Sequence, residues 1–264
     1  MNLLRSLRRA PLLALLALVT NCGGGGGDNS PAPATRPPVL EADIALLFMG
    51  NSHTSANNLP GMVAAMVRAA RPGRTVRAVE APGWMFLDER AANAPSIEML
   101  REGGWTYVVL QAQKYSSSGM FDYPIDGAVS LAHAARGVHA IPVMFPEWPR
   151  RDIDETRRIY DLHVSIAVRE PACVAPIGQA WDLALSRNPG LVLHAPDGNH
   201  SAPAGAFLAA LVIAATMTGV APDQLPAIEG FGVDASTQAT LRAAAADTVR
   251  AWPPRQYCPG DPFP

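Results

Sequence analysis

The chain contains 264 residues, of which 48% are hydrophobic and 17% are charged. This composition predicts one globular domain with a sizeable core, because the chain is short for two ordinary domains. The formal net charge is −2, and positions 1–21 hold three arginines but no acidic residue, so the rest of the chain is more acidic. An acidic surface argues against nucleic acid as the main partner.

The N-terminus has the pattern of an export signal. Three arginines precede the apolar run 11–19, which is too short to span a bilayer as a helix. Residues 19–22, Val-Thr-Asn-Cys, are similar to a bacterial lipobox, although Asn21 replaces the usual small residue. The resemblance implies that 1–21 is a signal peptide and that Cys22 is the lipidated mature N-terminus. A plain cleaved signal or a retained anchor is the alternative.

This signal predicts an exported protein, lipid-anchored in the bacterial cell envelope at the outer membrane or the periplasmic face, and otherwise periplasmic or secreted. The membrane is then contacted through the N-terminal lipid only. Residues 22–40 contain five consecutive glycines and a Pro/Ala-rich stretch. A phosphate-binding glycine loop must follow a strand and open a helix, and neither neighbour is present. We interpret 22–40 as a tether and 41–264 as the folded domain.

Beyond residue 41, short β-rich runs alternate with helical patterns. Strands are predicted at 44–49, 75–79, 107–110, 140–145 and 172–175. Helices are predicted at 59–70, 86–101, 125–137, 153–169, 178–187 and 235–251. Runs that are apolar on both faces indicate parallel strands covered by helices on each side. The expected fold is an α/β domain, a flavodoxin-like three-layer α/β/α sandwich with a mostly five-stranded parallel sheet.

Two features leave alternatives open. The run 202–217 is apolar nearly all round, which fits a membrane span or a buried core helix; its short length and Gly205 favour the core helix. If Cys22 carries lipid, Cys173 and Cys258 remain. An exported protein allows these two to pair, and two separate thiols are the alternative.

Polar residues follow the predicted strands, where ligands bind in such a fold. Ser52 follows the first strand and fits either a helix N-cap or a nucleophile. A candidate base is His200, because Asp197, three residues earlier, can reach its Nδ1 and leave Nε2 free for a serine. His53 is adjacent to Ser52, but neighbours on a turn point in different directions. We therefore expect His53 to stabilise the loop or to lie at the rim of the site.

A metal site is the competing interpretation of this segment. His194, Asp197 and His200 are residue types that bind zinc. Pro196 and Gly198, however, break any helix that would stack these side chains. The sequence therefore predicts no metal and no cofactor.

Two further strand ends offer hydrogen-bond donors. Gly83 follows the second strand, where it is either a turn residue or a backbone N–H donor for a reacting carbonyl oxygen. Gln113 follows the third strand, where its amide either donates to the same oxygen or holds its own loop.

These four segments together resemble the SGNH/GDSL hydrolase superfamily over roughly residues 42–220. Residues 50–52, Gly-Asn-Ser, match the first block, where Gly-Asp-Ser is usual, and Gly83 matches the second. Residues 111–113, Gln-Ala-Gln, stand where Gly-x-Asn is usual, and 197–200 match the final Asp-x-x-His. The resemblance implies a catalytic triad of Ser52, Asp197 and His200. It also implies an oxyanion hole formed by Ser52, Gly83 and Gln113.

The function implied is a serine hydrolase for acyl esters, acetyl or another short chain, on a small molecule or a polysaccharide. Substrate contacts are expected from the first and third strand ends, the loop 145–150 and residues 115–123, and the candidates are Asn51, Gln111, Glu147 and Trp148. Trp148 would offer a face for a sugar ring. The alternatives are an O-acyltransferase, which differs by excluding water, or a non-catalytic glycan- or partner-binding lipoprotein on a degenerate esterase fold.

Overall fold

A computed structural model describes residues 42–264, and the signal, lipobox and tether predictions lie outside this range. Within it, the strands are β1 (Ile44–Met49), β2 (Val76–Glu80), β3 (Tyr107–Leu110), β4 (Ile141–Met144) and β5 (Cys173–Val174). The helices are α1 (Ser52–Ser55), α2 (Leu59–Ala70), α3 (Leu87–Ala91), α4 (Ala94–Arg101), α5 (Asp126–Gly137), α6 (Thr156–Arg169), α7 (Ile177–Arg187), α8 (Pro203–Thr218) and α9 (Ala235–Ala251).

The described strands form one parallel sheet in the order β2-β1-β3-β4-β5. The chain therefore leaves β1 in one direction to form β2 and crosses to the other side to form β3. In doubly wound sheets such a reversal opens a crevice at the carboxyl ends of the two central strands. The loops after β1 and β3 border this crevice.

The two faces of β1 show why the sheet is covered on both sides. All six residues of the strand are buried. Ile44, Leu46 and Phe48 pack with α2, α7, α8 and α9, whereas the alternate residues Ala45 and Leu47 pack with α3, α4, α5 and α6. Alternation along a strand sends successive side chains to opposite faces. The predicted three-layer α/β/α sandwich is confirmed.

The apolar run 202–217 forms α8, which is buried in the core beside α2 and α9. The core-helix interpretation is therefore confirmed. Among the helices in residues 42–264, none combines the length and the apolar character needed to cross a bilayer.

The single helix predicted over 86–101 is wrong, because the segment forms the two helices α3 and α4. Asn93 interrupts them, and its side chain accepts a hydrogen bond from the backbone N–H of Ser96, 3.0 Å away, as an N-cap. Pro95 follows in the first turn of α4, where its missing N–H costs nothing.

The C-terminal segment is attached to the edge of the sheet. A buried disulfide joins Cys173 of β5 to Cys258, whose Cα atoms lie 5.1 Å apart. The backbone N–H of Val174 also donates to the carbonyl of Pro254, at 2.8 Å. Of the two possibilities that the sequence left open for these cysteines, the structure has the paired one.

Candidate active site

The loop after β1 turns sharply into α1. Asn51 is the N-cap of this helix, and its Oδ1 accepts from the backbone N–H of His53 at 3.1 Å. Ser52 is thus the first helical residue and not the cap. Gly50 leaves room for two side chains that pack against the loop, because a Cβ at this position would overlap Thr54 Oγ1 and Gln111 Oε1.

A continuous chain of hydrogen bonds joins the first and last sequence blocks. Nε2 of His200 lies 2.9 Å from Oγ of Ser52, and Nδ1 of His200 lies 2.5 Å from Oδ2 of Asp197. The backbone N–H groups of Asn199 and His200 donate to the other carboxylate oxygen of Asp197, each at 3.0 Å. The hydrogen bond from His200 and these two N–H groups hold the pKa of Asp197 well below its usual range. The carboxylate is therefore an anion and fixes the orientation of the imidazole.

His53 lies beside this chain and not within it. Its Nδ1 is 3.1 Å from Oε2 of Glu147, and its ring stacks on Trp148 with the centroids 5.1 Å apart. The rings of His53 and His200 are nearly perpendicular, with their centroids 5.0 Å apart. His53 therefore supports the ring of His200, and it also borders the cavity that contains Ser52.

Gln111 and Glu147 form a buried support under the loop, which corrects the substrate-binding role predicted for Gln111. Gln111 is fully buried; its Nε2 donates to Glu147 at 2.7 Å, and its Oε1 accepts from the Asn51 N–H at 2.9 Å. Burial would raise the pKa of Glu147, but hydrogen bonds from His53 and Gln111 outweigh it and hold the pKa below its ordinary value. Of this pair, Glu147 alone borders the cavity at Ser52.

Trp148 is only 1% exposed, so the prediction that it offers a face to a sugar ring is wrong. Its indole stacks on Trp181 at 4.7 Å, and its Nε1 donates to the carbonyl of Asn199 at 2.9 Å. The ring thus holds the segment that carries His200. Trp148 acts on the site through its packing, not by contact with a ligand.

The amide of Gln113 is engaged elsewhere. Its Nε2 donates to the carbonyls of Lys114 and Pro124, at 3.0 and 3.1 Å, and the side chain is buried. An amide NH2 has two N–H donors, and both are used by these contacts. In this arrangement Gln113 has no donor left for an oxyanion, and it ties down its own loop instead.

The backbone N–H groups of Ser52 and Gly83 remain as candidate oxyanion donors. Neither has a hydrogen-bond partner within residues 42–264. Gly83 is exposed and has φ of +78°, a conformation that glycine adopts without strain.

Ser52 and His200 open into a cavity of about 480 Å³. Asn51 borders the cavity, as do Phe86 and Tyr123, which are 39% and 44% exposed. A second cavity of about 550 Å³ adjoins it, since Tyr115 and Tyr123 border both. Tyr115 and Tyr123 lie in the segment 115–123, where substrate contacts were expected, whereas no sequence pattern singled out Phe86.

The three residues of the predicted metal alternative do not form a ligand cluster in the described part of the chain. His194 is buried, with Nε2 2.8 Å from the carbonyl oxygen of Pro149 and its ring against Trp181. Within residues 42–264 the one group with ligand spacing is Cys173, Cys258 and Asp261, whose sulfur atoms are joined to each other.

Comparison with known proteins gives structural matches only: no protein-family model and no curated protein sequence matches the chain. A solved structure of a protein from Slackia heliotrinireducens classed as an SGNH hydrolase matches with a TM-score of 0.52 and 26% identity, over 66% of this chain and 98% of that one. The chain belongs to the SGNH hydrolase superfamily.

A second structural match concerns the fold alone. A DUF4886 family protein from Bacteroides uniformis ATCC 8492 superposes with a TM-score of 0.57 and 17% identity, over 80% of this chain and 95% of that one. In the present chain, hydrogen bonds bring together Ser52 of the first sequence block with Asp197 and His200 of the last, at the carboxyl edge of the sheet. Arg90, which the sequence patterns did not single out, is buried beside this site and donates to the carbonyl of Gly50.

Proposed function

We propose that the protein hydrolyses short-chain acyl esters with Ser52 as nucleophile, His200 as general base and Asp197 as its partner. The observation that carries this proposal is the unbroken hydrogen-bond chain from the Asp197 carboxylate through the His200 imidazole to the Ser52 hydroxyl. A serine hydroxyl is a weak nucleophile until a base takes its proton, and this arrangement supplies the base.

The reaction then proceeds in two halves. Ser52 Oγ attacks the ester carbonyl carbon while its proton moves to Nε2 of His200, and the Asp197 carboxylate stabilises the resulting imidazolium. The backbone N–H groups of Ser52 and Gly83 bind the oxyanion. His200 returns the proton to the leaving alcohol, and water attacks the acyl-enzyme by the same route.

The surroundings of Ser52 favour a polar alcohol such as a sugar as the leaving group. Exposed aromatic rings border the cavity at Phe86 and Tyr123, and such rings pack against the apolar face of a sugar. Beyond Tyr123, the second cavity adds Asp122, Arg158 and Ser165, which offer hydrogen-bonding groups. An acetylated oligosaccharide would fill both cavities while its acetyl group reaches Ser52.

Hydrolysis is favoured over transfer to a second alcohol, because the His200 and Asp197 side chains are 35% and 49% exposed and water can reach them. The alternative of a non-catalytic binding lipoprotein is opposed by the complete chain of contacts at Ser52, which glycan binding alone does not require.

Kinetic assays on p-nitrophenyl acetate and on an acetylated xylo-oligosaccharide, with wild type and Ser52→Ala, test the proposal. The control is Ser55→Ala, three residues along, whose hydroxyl contacts Glu80 and Trp84. Turnover should vanish in Ser52→Ala and persist in Ser55→Ala. Equal turnover by wild type and Ser52→Ala would refute the esterase proposal.

We also propose that the protein is exported and held to the cell envelope by a lipid on Cys22. The support is the lipobox-like sequence at 19–22, preceded by an arginine-rich start and an apolar run. Cys22→Ser should move the protein from the membrane fraction to the soluble fraction. Membrane association that persists in this variant would contradict lipid anchoring.

A further inference from the structure

Arg90 of α3 is fully buried beside the nucleophile loop, and its hydrogen bonds go to neutral oxygens rather than to a carboxylate. Nη2 donates to the carbonyls of Gly50 and Gly83, at 2.7 and 2.6 Å. Nη1 donates to the carbonyl of Pro82 at 3.3 Å and to Ser96 Oγ at 3.0 Å. One guanidinium thus holds the loop after β1 and the loop after β2.

Burial of this charge is costly, since a buried ion loses its hydration. Burial lowers the pKa of Arg90, while the charge of Glu80 acts in the opposite direction. A guanidinium nonetheless keeps its proton near neutral pH. An apolar side chain could fill this space without that cost. The burial of a guanidinium with four hydrogen-bond acceptors therefore indicates a role beyond packing.

The contact with Pro82 determines the direction of the Gly83 N–H. The carbonyl of Pro82 and the N–H of Gly83 belong to the same peptide group, and in a trans peptide they point in opposite directions. The Pro82 oxygen faces the buried guanidinium. The Gly83 N–H therefore points away from Arg90, and it has no partner within residues 42–264.

We propose that Arg90 is a positioning residue for the oxyanion hole: it fixes the Pro82–Gly83 peptide so that the Gly83 N–H donates to the oxyanion formed at Ser52. This inference rests on the proposed esterase function. Arg90 also holds the Gly83 carbonyl, so the peptide groups on both sides of Gly83 are fixed. Its hydrogen bond to the Gly50 carbonyl holds the loop after β2 next to the loop after β1, which carries Ser52.

The charge contributes as well as the geometry. A hydrogen bond from a cation to the Pro82 oxygen polarises that peptide group and makes the N–H on its other side a better donor. A preorganised donor of this kind strengthens binding of the transition state far more than binding of the neutral ester.

Arg90→Lys is the direct test, because an ammonium keeps the charge but cannot reproduce the fixed fork that spans acceptors on two loops. The matched control is Arg71→Lys, since Arg71 also donates to backbone carbonyls, those of Ala70, Thr218 and Pro264, but at the far end of α2. The concentration of active sites is determined by titration with a fluorophosphonate, so that unfolded protein does not lower the measured kcat.

Per active site, kcat for p-nitrophenyl acetate should fall about 10²-fold in Arg90→Lys, the cost of one oxyanion donor, while KM changes by less than about threefold. Affinity for an alkylboronic acid, whose serine adduct carries the same anionic oxygen, should fall with kcat. Arg71→Lys should change neither.

An unchanged kcat and boronate affinity per active site in Arg90→Lys would overturn the inference while leaving the esterase intact. If wild type neither turns over ester nor takes the label, the proposed function fails and the inference fails with it. If Arg90→Lys does not accumulate as folded protein, Ser96→Ala is used instead, because it removes one acceptor of the guanidinium. Ser96→Ala should lower kcat and boronate affinity per active site, by less than Arg90→Lys would. If Ser96→Ala changed neither kcat nor boronate affinity, the inference would be overturned.

Discussion

Nε2 of His200 lies 2.9 Å from Oγ of Ser52, although 148 residues separate them in the chain. Each side of the contact is fixed independently. Ser52 is placed by the N-cap of α1. His200 is held by its hydrogen bond with Asp197, and the preceding residue, Asn199, is held by a hydrogen bond from the buried Trp148 to its carbonyl. The fold therefore presents the pair preassembled.

Replacement of Asp197 by asparagine tests the partner of the base. The amide cannot stabilise an imidazolium and offers an N–H where the histidine needs an acceptor, so kcat should fall between about 10²- and 10⁴-fold. The matched control is Asp161→Asn, at an exposed carboxylate of α6 that pairs with Arg157. A kcat within twofold of wild type in Asp197→Asn would remove Asp197 from the triad.

Gln113→Ala distinguishes an oxyanion donor from a loop anchor. Because both N–H donors of Gln113 bind backbone carbonyls, we expect looser packing of residues 114–124 and a higher KM, with kcat within about fivefold of wild type. A fall in kcat of about 10²-fold at unchanged KM would instead show that Gln113 donates to the oxyanion.

The aromatic residues near the site should separate into two classes. Trp148→Ala removes a ring that is fully enclosed and should reduce the free energy of unfolding by about 3–5 kcal/mol, measured by urea denaturation. Tyr123→Ala removes a ring that is 44% exposed and should leave the midpoint unchanged, yet raise KM for an acetylated oligosaccharide more than for p-nitrophenyl acetate. Equal rises in KM for both esters would argue against a sugar-binding rim.

The disulfide should matter for stability and not for chemistry. Cys258→Ser releases the C-terminal segment from β5 and should lower the free energy of unfolding by about 2–5 kcal/mol. Cys173 and Cys258 make no contact with the triad, so kcat below the unfolding transition should match wild type. A large fall in kcat with unchanged stability would contradict this assignment.

Much of the fold was predictable because its signals are local. The strands at 44–49 and 107–110 coincide with continuous apolar runs, which fit central strands covered on both faces. The pairing of Asp197 with His200 is also local, since a turn brings residues three apart together. The contact of His200 with Ser52 is not local, and its prediction came from the superfamily resemblance of the blocks.

Other features depend on packing that no short pattern encodes. Trp148 stands between prolines in the sequence, and nothing there shows that Trp181 covers it. The acceptors of Gln113 depend on the path of the following loop, which the sequence does not determine. Arg90 follows Leu87 by three residues, so the helical period places it on the buried face of α3, and a lone arginine on such a face is the signal that could have found it.

The most direct measurement of the central claim is the mapping of a fluorophosphonate adduct. Wild-type protein is treated with the reagent, digested and sequenced by mass spectrometry. The proposed mechanism predicts one adduct, on Ser52, that forms readily in Ser55→Ala and is lost in His200→Ala, because without its base the hydroxyl is unreactive. Labelling of another residue, or Ser52 labelling that is as fast in His200→Ala as in wild type, would contradict the proposal.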